Sequence, residues 1–351
     1  MFGSYKENDV TILLKDITGM VQPQSTEERE KLIQSGRHYC EMLPIEYEPS
    51  EKYMESFYDA LGLYSKMTAD AVAKLAQLIY KDKGENAVLV SLARAGTSIG
   101  VLLKHYMDRK YNMDTAHYTI SIIRGRGIDK NAMNYILKRH SPKDIQFIDG
   151  WTGKGAITRQ LEEAMKDYPD VSAGLGVLSD PAFISEKCGT HDDFLIASSC
   201  LNSTVSGLLS RTFLRSDIIG NNDFHGAVFY KELAHKDLTY KFIDTVEAEF
   251  DLADFDLSDN TVQTSTDAME EVKKICREFD IADINLVKPS IGEATRVLLR
   301  RMPWKMLVHS LDDNEHLGHL YRLAEEKGCE LVEYPLKHYR ACGLIKSMAD
   351  N

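Results

Sequence analysis

Tryptophan is scarce, with two residues in 351, proline supplies only nine, and the six cysteines stand at 40, 188, 200, 276, 329 and 342 with no pair two residues apart. That spacing leaves no compact framework of the kind a small secreted scaffold needs, so reduced thiols are expected. No apolar run long enough to span a membrane occurs, nor does a signal-peptide pattern, and the expectation is a cytoplasmic protein with no membrane partner. Positive charge is also in deficit, with 42 Lys and Arg against 54 Asp and Glu and a net charge of −12, which opposes a nucleic-acid role if it is spread evenly. Internal repeats and low-complexity tracts are lacking too.

The charge is not spread evenly. Residues 231–270 carry eleven acidic side chains against three lysines, whereas residues 271–351 carry thirteen of each sign. An acidic run such as Glu247, Glu249, Asp251, Asp254, Asp256 and Asp259 reads as a solvated connector. With 351 residues available for two cores, the expected division is a main domain over 1–230, the connector over 231–270 and a smaller domain over 271–351.

Residues 1–80 are expected to be mostly helical, with Ser25 capping a helix ahead of Glu27 and Glu28, and with apolar residues at helical spacing from Met67 to Tyr80. From residue 86 the pattern alternates. Strands are expected at Val88–Leu92, Tyr118–Ile123, Ile145–Ile148 and Gly174–Leu178, separated by helices, which predicts an α/β fold with a parallel sheet covered on both faces. The second unit reads as helix 268–279, strand 284–287, helix 292–301, strand 306–308, helix 317–327 and strand 330–334. Open sheets of this kind bind ligands at the carboxyl ends of their strands, so the chemistry is expected in the loops that follow them.

The strongest of these loops runs from Ile145 to Ile157. An apolar strand ends in Asp149 and passes through Gly150, Trp151, Thr152, Gly153, Lys154, Gly155 and Ala156 into a helix. Backbone N–H groups at a helix start lack internal partners and favour an anion, and the Thr152 hydroxyl and Lys154 ammonium can add charge-assisted hydrogen bonds. Asp149 is placed to accept from the hydroxyls of a ribose. The Gly-Lys pair does not make a nucleotide-hydrolase loop, because the first glycine is too close and Gly155 occupies the position of the magnesium-binding hydroxyl. A second loop carries Arg94, Ala95, Gly96 and Thr97 after a buried strand, with a guanidinium suited to pyrophosphate. A third sets Arg124 and Arg126 among glycines, a composition suited to closing over a polyanion.

Together the stretches 90–97, 122–129 and 147–157 resemble a bacterial phosphoribosyltransferase-like family of tellurium-resistance and stress gene clusters, the StiP family, whose members also carry the label cysteine protease. The resemblance implies a type I phosphoribosyltransferase-like sheet. It further implies a substrate such as phosphoribosyl pyrophosphate (PRPP), a ribose phosphate or a nucleotide, with substrate-bound Mg2+ and no protein metal site. Loop 149–157 would hold the ribose and its 5′-phosphate, and loop 94–97 the pyrophosphate. One departure is present: Asp149 is followed by Gly150 rather than by a second acidic residue, and the loop is shorter. Residues 285–296 and 339–343 resemble a Pelota-type RNA-binding domain, in which Lys288, Arg296, Arg300 and Arg301 would meet RNA; a dimerisation or lid role for this unit stays open beside it.

Cys200 is the alternative nucleophile. It stands in a small polar stretch ahead of an expected helix, with His191, Asp192 and Asp193 before it, and a thiolate so placed suits a peptidase. A zinc set of Cys188, His191 and Cys200 lacks a fourth ligand. Glycosyl transfer, peptide cleavage and non-catalytic nucleotide or RNA sensing therefore all remain readings of the sequence.

Overall fold

The computed structural model describes residues 2–258 and 265–345. In the main unit the order is β1 (Thr11–Ile12), β2 (Lys15–Asp16), α1 (Thr26–Gln34), α2 (Glu51–Lys83), β3 (Val88–Leu92), α3 (Ala95–Tyr111), β4 (Ala116–Ile120), β5 (Ile122–Ile123), β6 (Gly127–Ile128), α4 (Lys130–Leu137), β7 (Ile145–Trp151), α5 (Ala156–Met165), β8 (Leu175–Ser179), β9 (Lys187–Thr190), β10 (Gly226–Ala227) and α6 (Thr239–Glu247). The smaller unit follows as α7 (Asp267–Glu278), β11 (Val287–Pro289), α8 (Ile291–Arg300), β12 (Pro303–Val308), α9 (Asn314–Lys327), β13 (Glu330–Glu333) and β14 (Ala341–Ile345).

The main sheet has six strands in the order β1-β4-β3-β7-β8-β9, and every pairing in it is parallel. Parallel strands need crossovers, and the crossover helices cover both faces, which is why β3 and β8 read as unbroken apolar runs. Alternate residues of β3 divide between two cores. Leu89 packs with α2, α3 and α6, while Val88, Val90 and Leu92 pack with α4 and α5. The chain leaves β3 for β4 on one side and later returns to β7 on the other. The crevice between the ends of β3 and β7 is therefore the switch point where such sheets bind ligands.

Helix α2 is 33 residues long and buries Phe57, Leu61, Val72, Leu75 and Ile79 against the sheet, with Ala69, Ala71, Ala73 and Ala76 letting it lie close. The expectation of a mostly helical residues 1–80 is corrected at its start. Residues 11–16 form β1 and β2, which pair with β4 and β10, and pieces of two residues are too short to show any periodicity. Ser25 does cap α1, accepting from the Glu28 N–H while the Glu28 carboxylate accepts from the Ser25 N–H. Residues 231–270 are not simply a solvated connector either, because α6 buries Phe242, Ile243 and Val246 against α2 and α3. Of the acidic run, Asp259 lies outside the described residues.

The smaller unit has a four-stranded sheet in the order β11-β14-β12-β13, with β14 antiparallel to both its neighbours. The expected strand 284–287 begins later, since Ile284–Leu286 forms a 3-10 turn capped by Asp283 before β11. Among the described residues no helix is long and apolar enough to cross a membrane.

The two units share one apolar cluster, in which Ile291, Ala294 and Leu298 of α8 join residues of α2 and Ile196. Asp193 pins the joint by accepting from the N–H groups of Ile291 at 3.0 Å and Arg340 at 2.9 Å. Burial pushes its carboxyl up to about 7, against the pull of those two N–H groups. The folded chain thus keeps a proton that the unfolded chain releases, so stability falls as pH rises from about 4 to about 7. Denaturant midpoints measured across this range are expected to drop in the wild type and to drop less in Asp193→Asn.

Candidate functional site

Strand β7 ends at the switch point, and Asp149 stands near its end with Trp151 on the same face. The chain then turns through Thr152–Gly155 into α5. Gly155 caps that helix with φ +70°, a left-handed conformation that a side chain would strain. Among the described residues the N–H groups of Gly153, Gly155 and Ala156 find no acceptor, and those of Ala95 and Gly96 at the start of α3 are in the same condition. Ala95 and residues 152–156 border one cavity of 320 Å³. Two helix starts therefore address a common space, each with the partial positive charge of unsatisfied N–H groups.

The rest of the lining comes from distant parts of the chain. Tyr39 and Arg124 close one side, and Lys288, Glu293 and Arg296 reach in from the smaller unit. Arg296 lies over the Trp151 ring at 4.7 Å and pairs with Glu293 at 3.2 Å, so its guanidinium is held flat at the cavity wall. Burial pushes the Asp149 carboxyl up to about 6; its Oδ1 accepts from the Gly150 N–H at 2.8 Å. The group carries a proton at pH 5 and loses it by pH 7.

Several expected roles change with side-chain direction. Thr152 donates its hydroxyl to Asp180 at 2.5 Å and so braces the loop. Lys154 donates to the carbonyls of Ile284 at 2.5 Å and Val287 at 2.9 Å, and burial followed by the charge of Lys288 lowers its ammonium to about 8. It ties the smaller unit to the loop as well as bordering the cavity. Thr97 is buried, its hydroxyl 2.8 Å from that of Thr119, and Gly96 packs on the backbone of β7, leaving Ala95 as the part of loop 94–97 that faces the cavity. Arg94 is absent from this cavity. Its guanidinium turns the other way, to the Leu209 carbonyl at 2.8 Å and Asn202 at 2.9 Å, because the helix start after it aims only the backbone at the crevice.

The hairpin of β5 and β6 separates its two arginines. Arg124 borders the cavity and donates to Asn285 at 3.3 Å, whereas Arg126 pairs with Glu41 at 2.8 Å and faces away. The turn itself is tethered, since the Gly125 N–H donates to Gln160 at 2.6 Å and the Arg124 N–H to the Tyr39 hydroxyl at 3.1 Å. The four basic residues expected on an RNA face divide between two cavities. Lys288 and Arg296 look into the cavity, and Arg300 and Arg301 border a second cavity, because α8 presents its basic side to the main unit.

Cys200 does not precede a helix of ordinary length. It ends a 3-10 turn over Ala197–Cys200, is fully buried and donates its thiol to the Ser56 carbonyl at 3.6 Å, and burial pushes that thiol up to about 12. His191 sits nearer Cys188, at 3.5 Å, and the two gather with Asp180 rather than Cys200. Asp180 already accepts from Thr152, Ile184 and Ser185. A different thiol has a histidine beside it. The Cys40 Sγ lies 3.0 Å from His38 Nδ1, next to Tyr39 of the cavity. Tyr39 and Glu293 carry no sequence signal that marks them, since they reach the cavity of the Asp149 loop only through long-range packing, and neither does the pair of His38 and Cys40 beside Tyr39.

A family model described as tellurite-like stress resistance cysteine protease StiP matches residues 3–247, and one described as PELOTA RNA binding domain matches residues 266–347. The cysteine protease StiP of Acinetobacter baylyi is 36% identical over 365 aligned residues, covering 99% of this chain and 94% of that protein. Among solved structures, the xanthine-guanine-hypoxanthine phosphoribosyltransferase of Helicobacter pylori is 17% identical with a TM-score of 0.24, covering 31% of this chain and 68% of that one. A hypoxanthine-guanine phosphoribosyltransferase of Bacillus anthracis is 17% identical with a TM-score of 0.25, covering 33% and 68%. Superpositions that loose carry no argument about this chain. The family match and the relative that spans nearly the whole chain do: the chain belongs to the StiP family.

Proposed function

We propose that this StiP-family chain is an enzyme that binds a phosphorylated ribosyl compound in the cavity ahead of α5 and makes or breaks a bond at its anomeric carbon. The observation that carries the proposal is the convergence of unpartnered N–H groups from α3 and α5 on a cavity that also holds Asp149, Arg124, Lys288 and Arg296. In this reading a 5′-phosphate rests on the amides of 153–156, and the Asp149 carboxylate accepts from the ribose hydroxyls. The bond from the anomeric carbon to pyrophosphate, or to a base in the reverse direction, breaks with its electron pair leaving on that group. The incoming nitrogen or oxygen nucleophile supplies the new pair, and the carbon passes through an oxocarbenium-like state. Acceleration comes from holding the anions in place and from negative charge near that carbon. Asp149 and Glu293, both hard oxygen donors, suit a Mg2+ ion that a diphosphate would carry in, and that ion would neutralise charge on the leaving group. In this reading the backbone at Ala95, rather than the Arg94 side chain, faces the leaving group.

The assay is release of pyrophosphate from PRPP with purine and pyrimidine bases, and the reverse cleavage of nucleotides, with and without Mg2+. Release that depends on Asp149 is expected. Failure of the chain to bind both ribose 5-phosphate and PRPP would overturn the reading.

A cysteine peptidase is the second reading, favoured by the name of the A. baylyi relative and by the contact between Cys40 and His38. Both thiols are buried and raised by that burial, Cys200 up to about 12, and of the two it is Cys40 that has a histidine in contact. On the peptidase reading Cys40→Ser abolishes cleavage of a peptide substrate and Cys200→Ser leaves it intact. On the glycosyl reading neither substitution removes pyrophosphate release. The PELOTA match supports RNA as a partner of residues 266–347, and on that reading Lys288 and Arg296, which border the cavity ahead of α5, would be among the residues that meet it.

A further inference from the structure

On the far side of the α3 start lies a second cavity, of 410 Å³, bordered by Arg94 and Arg211 from the main unit and by Arg300 and Arg301 from the smaller one. Among the described residues no carboxylate comes within ion-pair distance of any of these four guanidinium groups. The two carboxylates on the rim are engaged elsewhere. Glu46 accepts from the Ser203 N–H at 3.0 Å and hydroxyl at 2.7 Å, and Glu48 pairs with His235 at 3.0 Å.

What the arginines do touch is neutral oxygen, of main-chain carbonyls and, for Arg94, of the Asn202 amide as well. Arg211 donates to the carbonyls of Tyr39 at 2.9 Å and Met42 at 3.0 Å, and Arg300 to that of Cys200 at 3.1 Å. These bonds fix the guanidinium planes and leave their charge uncompensated, and the Nε atoms of Arg211 and Arg300 are buried with no acceptor. Burial and the other arginines lower Arg300 to about 9 and Arg211 to about 10. Gathering like charges in a partly dehydrated space is unfavourable unless an anion joins them. Planar forks held from several sides suit an oxygen-rich group bearing two or more negative charges.

We propose that this cavity is a second anion site, separate from the one ahead of α5, which takes a compact diphosphate-like group and by doing so clamps the smaller unit onto the main one. The same chemistry is offered by free pyrophosphate and by the 5′-diphosphate end of an RNA strand. The proposal does not depend on the reading of the first cavity, because none of the arginines that line the second, Arg29 included, borders the first.

The test is calorimetric titration of the full chain with sodium pyrophosphate, with ribose 5-phosphate alongside, and with a short oligoribonucleotide bearing either a 5′-diphosphate or a 5′-hydroxyl. Arg211→Gln and Arg300→Gln are each expected to weaken pyrophosphate binding about tenfold or more while leaving ribose 5-phosphate unchanged. The exposed Arg301→Gln, which disturbs no packing, is expected to weaken it about threefold. Pyrophosphate should also raise the wild-type melting temperature beyond the effect of sodium chloride at equal ionic strength. A preference for the 5′-diphosphate strand over both pyrophosphate and the 5′-hydroxyl strand would identify an RNA end as the source of the group. Pyrophosphate affinity unchanged in all three variants, or no melting shift beyond that of salt, would overturn the proposal.

Discussion

Asp149→Asn is expected to lower turnover of a ribosyl phosphate by about a hundredfold or more, which is roughly 2.7 kcal/mol of transition-state stabilisation, with little change in melting temperature. On the proposed reading this carboxylate lies beside the ribose where positive charge would develop, and an amide of the same shape keeps the contact with Gly150 while removing the charge. Folding should tolerate the change because burial already disfavours the ionised form, as the rise to about 6 records. The sign of the pH effect follows. Wild-type kcat/KM should climb as pH rises through about 6, because only the deprotonated group can offer both oxygens to hydroxyls, and the variant should lose that limb. A fall in kcat larger than the rise in KM would show that Asp149 acts mainly in the transition state.

Gly96→Ala is expected to destabilise the protein by about 1–3 kcal/mol and to abolish ligand binding at the same time. A Cβ there would lie 2.5 Å from the Ile148 carbonyl oxygen and 3.2 Å from the Asp149 Cα, and both are backbone atoms of the central strand β7. Neither can swing aside. Relief requires α3 to slide away from β7, which separates Ala95 from Asp149 and so opens the two halves of the cavity. Gly150→Ala is the matching control, since a Cβ at that position meets nothing within 4 Å and stability should hold. Urea denaturation of the three proteins, read with ribose 5-phosphate titration, separates the packing effect from the binding effect.

The parts of this account legible in the sequence are those that depend on local pattern. Strands β3, β7 and β8 are bounded by helical periodicity and by small residues, and they fall within a residue or so of expectation at their starts. The glycine loop after Asp149 announces a helix start that could face an anion, and the structure puts one there. Direction is harder to read. The helix after Arg94 presents its amides to the crevice and its guanidinium to the opposite side, a split that no linear motif encodes. Lys154 likewise looks free in sequence and is partly spent on two carbonyls of a unit 130 residues away. The arginines of α8 suggest an open nucleic-acid face until the helix is seen docked on the main unit, where their partners are Trp151 and the carbonyls of Ser199 and Cys200. Short strands at 11–16 and the contact between Cys40 and His38 are invisible for a plainer reason. Two-residue pairings and chance neighbours in space leave no period to detect.

The family match and the geometry bear on different atoms, and this is what makes them separable. The label cysteine protease asks for an accessible thiolate, whereas the six cysteines include five that are buried and one, Cys276, that is half-buried. On the proposed reading the cavity ahead of α5 takes an anion, and its two helix starts, Arg124 and Arg296 suit one whether or not a thiol takes part.

The most direct measurement is the crystal structure of the chain soaked or grown with ribose 5-phosphate. The phosphate should lie within hydrogen-bond distance of the main-chain N–H groups between Gly153 and Ala156, with ribose hydroxyls on the Asp149 carboxylate. A sugar phosphate found only among Arg94, Arg211 and Arg300, or no bound sugar phosphate at concentrations that saturate a millimolar site, would contradict the assignment of the first cavity.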